Sequence, residues 1–185
     1  MKRHRNPIQK ATQKIEAEGR KHCFRIYSAT AIALWRHWGK RTESISRLFD
    51  TTHDVWNECK KSHNHSMIAM CEAETGIEIQ NGDGKSWEDL LYLNGTIPKQ
   101  MTTAQILYMR QRQLKWIRPQ VTACMLIALH RKYGFGFDRC SRILEQIEDI
   151  EAEFGRDPEK LREACYELTG IDVAKTTTTD RRESA

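Results

Sequence analysis

Proline, aromatic residues and long apolar runs are scarce in this chain, and each scarcity excludes a class of protein. Only 4 of the 185 residues are proline and 8% are aromatic, whereas 30% are charged. This composition is typical of a helix-rich globular protein rather than of a disordered or collagen-like one. No apolar run approaches the roughly 20 residues that a membrane-spanning helix needs, so we expect no membrane contact.

The N-terminus and the cysteines argue against export. The basic residues of MKRHRNP are not followed by the apolar stretch of a secretory signal. The 6 cysteines form no Cys-x-x-Cys pair, and four of them lie within apolar helical patterns. Cysteine used in this way is a small buried apolar residue in a reducing compartment. We therefore expect a cytoplasmic protein without disulfides.

Motifs for catalysis and cofactor binding are missing as well. The chain has no Walker loop, dinucleotide-binding glycine pattern, nucleophile elbow or paired-carboxylate site. Cys59, His63, His65 and Cys71 stand close together, but their spacing matches no common zinc site. We expect a protein that is not an enzyme and that binds neither a metal nor a cofactor.

What the chain does contain is an internal duplication. Residues 32–55 align without a gap with residues 127–150, at a constant offset of 95. After one residue is dropped, 71–77 match 165–171. The recurring positions are apolar residues, glycines and arginines, which indicates a repeated structural unit. The identical pairs include Ile32/Ile127, Ala33/Ala128, Leu34/Leu129, Arg36/Arg131, Gly39/Gly134, Ser46/Ser141, Arg47/Arg142 and Asp54/Asp149.

Each copy has the pattern of three helices. Apolar residues recur at three- and four-residue spacing in both copies, as in helices with one buried face, and Trp35 and Trp38 fall on that face. Glycines follow the first and third helix of each copy as C-cap candidates, and Pro119 is expected in the first turn of a helix. We predict an all-α fold of two tandem three-helix units, joined by a helical linker and packed about a pseudo-twofold axis.

Five segments follow from this pattern. Asp138 and Asp157 are expected N-caps in the second copy, and Ser86–Asp89 and Thr102–Gln105 resemble capping boxes between the copies. The segments are a basic N-terminal arm or helix at 1–22, a first helical repeat at 23–79, a linker with a short and an amphipathic helix at 80–118, a second repeat at 119–174 and a disordered tail at 175–185.

Charge alternates along the chain more strongly than the net charge of +5 shows. Residues 1–61 hold 14 basic against 6 acidic side chains, and residues 101–142 hold 8 against 1. The segments 62–100 and 143–185 have an acidic excess instead. A protein with this distribution can present a basic surface to a polyanion. The alternative is that the segregation serves solubility and the helix dipoles.

The basic side chains near the two inter-helix turns are the candidate contacts. Arginine binds phosphate through two parallel hydrogen bonds, which lysine cannot do. The alternative is that these arginines pair with acids that recur with them, at Glu43/Asp138, Asp50/Glu145 and Asp54/Asp149. The candidates are Arg36, Lys40, Arg41 and Arg47 at the first turn, Arg131, Lys132, Arg139 and Arg142 at the second, and Arg110, Arg112 and Lys115 on the linker helix.

One stretch carries a family resemblance. The run Ile127-Ala-Leu-His-Arg-Lys-Tyr-Gly-Phe-Gly-Phe-Asp-Arg139 resembles a segment of small early proteins of phages and prophages of Firmicutes. With Ala33–Gly39, Met70–Ile77 and Asp83–Leu90, the pattern is similar to a clostridial-phage group that includes a type II-A anti-CRISPR protein. The similarity covers about residues 20–173. The resemblance does not indicate which residues of this chain would bind a partner.

The resemblance implies a phage-encoded protein in the cytoplasm of a bacterial host. It would inhibit a type II CRISPR effector nuclease that carries its guide RNA, by interfering with the engagement or cleavage of target DNA. The hypothesis includes contacts of the protein itself with nucleic acid. The alternative is a phage regulatory protein that binds double-stranded DNA through the duplicated basic turns. The match of these turns to a helix-turn-helix motif is weak.

Overall fold

The computed structural model describes residues 7–61, 67–79 and 102–177, and every regular element in these ranges is a helix. The predicted all-α class is confirmed. No helix in the described ranges has both the length and the apolar character of a membrane span. The helices are α1 (Pro7–Trp38), α2 (Thr42–Lys61), α3 (Met67–Thr75), α4 (Thr103–Tyr133), α5 (Phe137–Glu153), α6 (Pro158–Thr169) and α7 (Val173–Thr177).

The two long helices, α1 and α4, form the centre of the molecule. Residues 28–34 of α1 and 123–129 of α4 are buried on all sides, as expected for helices covered by others. The helices α1 and α4 pack against each other. At buried Gly19, a Cβ atom would lie 2.7 Å from Cδ1 of Ile117 on α4. The absence of a side chain at Gly19 therefore leaves room for Ile117 of α4, and α1 continues through this glycine.

The remaining helices pack on these two in a crossed manner. The first helix, α1, packs against α5 and α6, whereas α4 packs against α2 and α3. Contacts between α1 and α2, or between α4 and α5, are few. The helices from residues 23–79 are thus covered by helices from residues 119–174, and the buried apolar residues form one shared cluster.

Several expected helix ends agree with the structure. Pro158 is the first residue of α6, where the missing N–H of proline costs no helix hydrogen bond. Asp157 caps α6 by accepting the N–H groups of residues 159 and 160, and Thr102 and Gln105 form the predicted capping box of α4. Gly39, Gly76, Gly134 and Gly170 all have φ between 58° and 73°, the left-handed conformation of a glycine C-cap.

Other expected boundaries differ from the structure. Pro119 lies inside α4 rather than in a first turn, and the boundaries expected after 22 and 118 fall within α1 and α4. Asp138 lies within the first turn of α5, whose N-cap is Gly136. Residues 175–177, expected in a disordered tail, belong to α7, where the Asp172 carboxylate accepts the N–H of Ala174. The short helix expected near Ser86 lies outside the described residues.

A buried carboxylate joins three helices at the side of the core. Glu151 of α5 is 1% exposed, and its Oε2 accepts hydrogen bonds from Arg25 of α1 at 2.6 Å and lies 3.0 Å from Nη1 of Arg118 of α4. A buried charge requires such partners because its desolvation is costly. This carboxylate therefore has a structural role, although it contributes to the acidic excess of segment 143–185.

Candidate nucleic-acid interface

The two inter-helix turns lie side by side at one end of the molecule. Gly39 lets α1 end and the chain enter α2, and Gly134 does the same between α4 and α5, with φ of 58° and 64°. The Tyr133 hydroxyl donates to the Ser44 carbonyl oxygen at 2.7 Å, and Thr42 donates to the Thr169 carbonyl at 2.6 Å. The first bond connects the two turns directly and fixes their relative position, and the second connects the first turn to the end of α6.

Two clefts flank this junction, and cations dominate their lining. The larger cleft, of about 610 Å³, lies at the second turn, and the smaller, of about 360 Å³, lies at the first. Together, the described lining residues include six cations and two carboxylates, Glu43 and Asp138. We call this surface the basic end. Its cations are Lys40, Arg41, Arg47, Lys132, Arg139 and Arg142.

No cation of the basic end forms an ion pair with a carboxylate in the described part of the chain. No ion pair there involves Arg41, Arg47, Lys132 or Arg142, and all the arginines of the basic end are exposed. The alternative of pairing with Glu43/Asp138, Asp50/Glu145 or Asp54/Asp149 is therefore not found for these cations. Unpaired, exposed guanidinium groups remain available to an anionic partner.

Aromatic contacts hold the other two cations. The Lys40 ammonium lies 4.3 Å from the centre of the Tyr133 ring, and the Arg139 guanidinium lies 5.9 Å from that of Phe135. Both distances fit cation–π interactions, which leave the hydrogen-bond donors of a cation free. These two side chains are therefore positioned but still able to contact an anion.

Arg36 and Arg131, by contrast, are engaged in ion pairs within the protein. Arg36 donates to Glu153 at 2.7 and 3.2 Å. Arg131 donates to Glu58 at 2.6 Å and to Glu74 at 3.0 and 2.6 Å. The hydrogen bonds from the two arginines lower the pKa of the Glu153 and Glu58 carboxyls. We assign these two candidates to stability rather than to partner contact.

The sequence contains a signal for these two ion pairs, but it lies just outside the aligned segments 32–55 and 127–150. Glu58 and Glu153 stand at the same offset of 95 as Arg36 and Arg131. Arginine and glutamate therefore recur together, but each pair joins one copy to the other.

The linker-helix candidates lie elsewhere. The side chains of Arg110 and Arg112 are outside the described residues. Lys115 is exposed on α4 and lines a third cleft, of about 550 Å³, together with Arg118, Glu145 and Glu148. The charges in that cleft are mixed and its other walls are largely apolar. It does not extend the basic end.

The described residues contain no group of three or more side chains suited to a metal ion. His63 and His65 of the sequence cluster lie outside these residues. Burial raises the pKa of the Cys71, Cys140 and Cys165 thiols to about 11, so they are protonated at neutral pH. A protonated, buried thiol is a poor nucleophile and a poor metal ligand, in agreement with cysteine as a core residue.

Comparison of the chain with protein-family models, with curated proteins and with solved structures finds no match. Functional assignment therefore depends on the geometry of the basic end.

Proposed function

We propose that this protein is a non-catalytic binding protein whose basic end contacts the phosphates of a nucleic acid. The observation that carries the proposal is the concentration of six cations against two carboxylates on one exposed surface. None of these six cations has an ion pair in the described ranges. Unpaired like charges repel each other, so a surface that holds them together favours an anionic partner.

We further propose that the two copies in the sequence are related by a pseudo-twofold axis between α1 and α4. The Arg36–Glu153 and Arg131–Glu58 pairs support this relation because exchanging the copies converts one into the other. The crossed packing of α1 and α4 supports it as well. Such an axis would place Gly39 and Gly134 at equivalent positions and present both basic turns to one ligand.

The biological role that we propose comes from the phage resemblance. A type II CRISPR effector nuclease must admit target DNA, which pairs with its guide RNA in a positively charged channel. A protein that binds the nuclease with one face and DNA phosphates with its basic end would interfere with this step. A phage regulatory protein that binds duplex DNA through the same end is the second candidate, favoured by the adjacent position of the two clefts.

A cleavage assay tests the inhibitor proposal. Guide-loaded nuclease would be incubated with an excess of the protein before target DNA is added, and the cleaved fraction measured. We expect inhibition by the wild type and weaker inhibition by the double variant Arg47→Gln, Arg142→Gln. The control is the double variant Lys14→Gln, Arg20→Gln, which loses the same charge from exposed positions of α1. Arg20, the nearer of the two to the basic end, lies roughly 27 Å along the helix from its last residue. The control should inhibit like the wild type.

Two results separate the candidates. Undiminished cleavage at a large molar excess of protein, together with duplex binding, would reject the inhibitor and leave the regulator. Absence of both inhibition and nucleic-acid binding would reject the proposed function of the basic end altogether.

A further inference from the structure

The two clefts of the basic end differ in one respect: the larger cleft has an aromatic wall. Trp38, Tyr133 and Phe135 line it, whereas the described lining of the smaller cleft contains no aromatic side chain. The difference follows from the sequence. At the offset of 95, Phe135 stands where the first copy has Lys40, and Arg139 stands where it has Ser44. The second turn therefore has a surface that the first lacks.

The three aromatic rings of this wall are in contact through Phe135. The Phe135 ring lies 4.6 Å from that of Trp38 and 5.8 Å from that of Tyr133, measured between centres, with tilted planes. Phe135 is buried, while Trp38 and Tyr133 are partly exposed. Hydrogen bonds fix the two outer rings: the indole N–H of Trp38 donates to Gln146 at 2.8 Å, and Tyr133 donates to Ser44. The wall is thus formed before any ligand arrives.

Charged groups border this wall. Arg139 lies beside Phe135 and Lys40 beside Tyr133, and Arg142 completes the cationic side of the cleft. Asp138 is the one carboxylate among the described lining residues, against three cations, so the lining carries a net positive charge that favours a phosphate. A volume of about 610 Å³ lies within the range of roughly 300–1,000 Å³ typical of small-ligand sites.

We infer that the larger cleft holds one unpaired nucleotide of a single-stranded nucleic acid. Its base would lie against the aromatic wall and the Arg139 guanidinium, with the phosphate on Arg142 and on Lys40, which would move off the Tyr133 ring. Bases in a duplex have both faces covered by their neighbours, whereas unpaired bases stack on aromatic and guanidinium planes. This inference depends on the proposed phosphate-binding function and adds that the protein distinguishes single strands from duplexes and from bare polyanions.

An abasic ligand tests this inference without altering the protein. Fluorescence anisotropy would give the Kd of a labelled single-stranded deoxycytidine octamer and of an abasic octamer with the same phosphates, at one salt concentration. We expect the octamer with bases to bind about tenfold more tightly, a difference of about 1.4 kcal/mol. A duplex of equal length should lack most of this advantage.

Matched variants locate the effect. Arg139→Ser and Arg41→Ser each remove one exposed positive charge, but only Arg139 borders the aromatic wall. We expect Arg139→Ser to reduce the preference for the octamer with bases several-fold and Arg41→Ser to leave the preference unchanged. Equal binding of the abasic and base-containing octamers would overturn the inference while the phosphate-binding function stands, as would equal effects of the two variants. Binding of neither octamer would overturn both.

Discussion

At the scale of single residues, two threonines end their helices in the same way. Thr75 and Thr169 each donate to the carbonyl oxygen of the cysteine four residues earlier, at 2.7 Å. Each hydroxyl oxygen also accepts the N–H of a buried isoleucine two residues later, at 3.2 Å. Each hydroxyl thus satisfies a backbone donor next to the glycine at which the chain leaves the helix.

Replacing either threonine with valine should therefore destabilise the protein. Valine has nearly the same shape but leaves the N–H of Ile77 or Ile171 unsatisfied in a buried position, at a cost of about 1–3 kcal/mol. Urea denaturation of Thr75→Val and Thr169→Val would measure this loss, which we expect to be similar for both. Thr75→Ser and Thr169→Ser retain the hydroxyl and should be less affected. A valine variant as stable as the wild type would show that the hydrogen bond is dispensable.

Gly134 and Gly136 surround the same turn but have different backbone requirements. Gly134 has φ of 64°, whereas Gly136 has φ of −84°, and a Cβ at either position would have no neighbour within 4 Å. Gly134→Ala should cost about 1–2 kcal/mol of stability through backbone strain alone.

Gly136, by contrast, is the N-cap of α5 but has no side chain to form a capping hydrogen bond. Gly136→Ser supplies the missing acceptor and should not destabilise, with a gain of up to a few tenths of a kcal/mol. Thermal unfolding of both variants checks the contrast, and equal losses would refute it.

At the scale of elements, reciprocal ion pairs connect residues 23–79 with residues 119–174. Arg36 near the end of α1 contacts Glu153 at the end of α5, and Arg131 near the end of α4 contacts Glu58 near the end of α2. Each pair joins a long helix to the second helix of the other copy. Since all four side chains are partly exposed, solvent screens the pairs, and each contributes at most about 1 kcal/mol.

The lowered pKa values of Glu58 and Glu153 determine the pH range in which the two ion pairs stabilise the protein. A carboxyl whose pKa is lower in the folded state stabilises above the unfolded value, here 4.5, and this stabilisation is lost as the pH falls through the folded value. Arg36→Gln and Arg131→Gln should thus be less stable than the wild type at pH 7, by about 0.5–1 kcal/mol. At strongly acid pH the difference should vanish. A difference that persists below both pKa values would contradict the ion-pair explanation.

The sequence predicted helices well where local chemistry decides and less well where packing does. Asp157 and the glycines after the helices act within one turn, so their roles were readable. The sequence predicts that Pro119 opens a helix, but the residues after it, from Gln120 to Leu129, are nearly all buried, and this packing maintains a continuous α4 despite the missing N–H. Trp35, expected in the core, is 39% exposed because the buried part of α1 ends at Leu34. Periodicity does not show where a neighbouring helix stops.

At the scale of the whole molecule, the crossed packing creates the candidate site. The turns at Gly39 and Gly134 are 95 residues apart, yet the fold places them together. The sequence identified the cations at both turns, because charge and glycine recur there. It did not show that Arg36 and Arg131 would be occupied by glutamates or that Phe135 would create an aromatic wall. Both depend on which helices meet, which is a property of tertiary structure.

The central claim is that the cations of the basic end contact nucleic-acid phosphates. Its most direct test is the salt dependence of binding. Each neutralised phosphate contributes about −0.9 to the slope of log K against log salt concentration for a duplex, and about −0.7 for a single strand. We would measure this slope for the wild type and for the variant with Arg41, Arg47, Arg139 and Arg142 changed to glutamine. In the control variant, four other exposed cations outside the basic end are changed to glutamine, so that it loses the same charge: Lys14, Arg20, Arg156 and Lys160.

We predict that the basic-end variant binds a duplex much more weakly, with a slope smaller by about 3 to 4, as expected for four lost phosphate contacts. The control should retain most of the affinity and nearly the full slope. Equal slopes for the basic-end variant and the wild type, with both proteins folded, would contradict the claim.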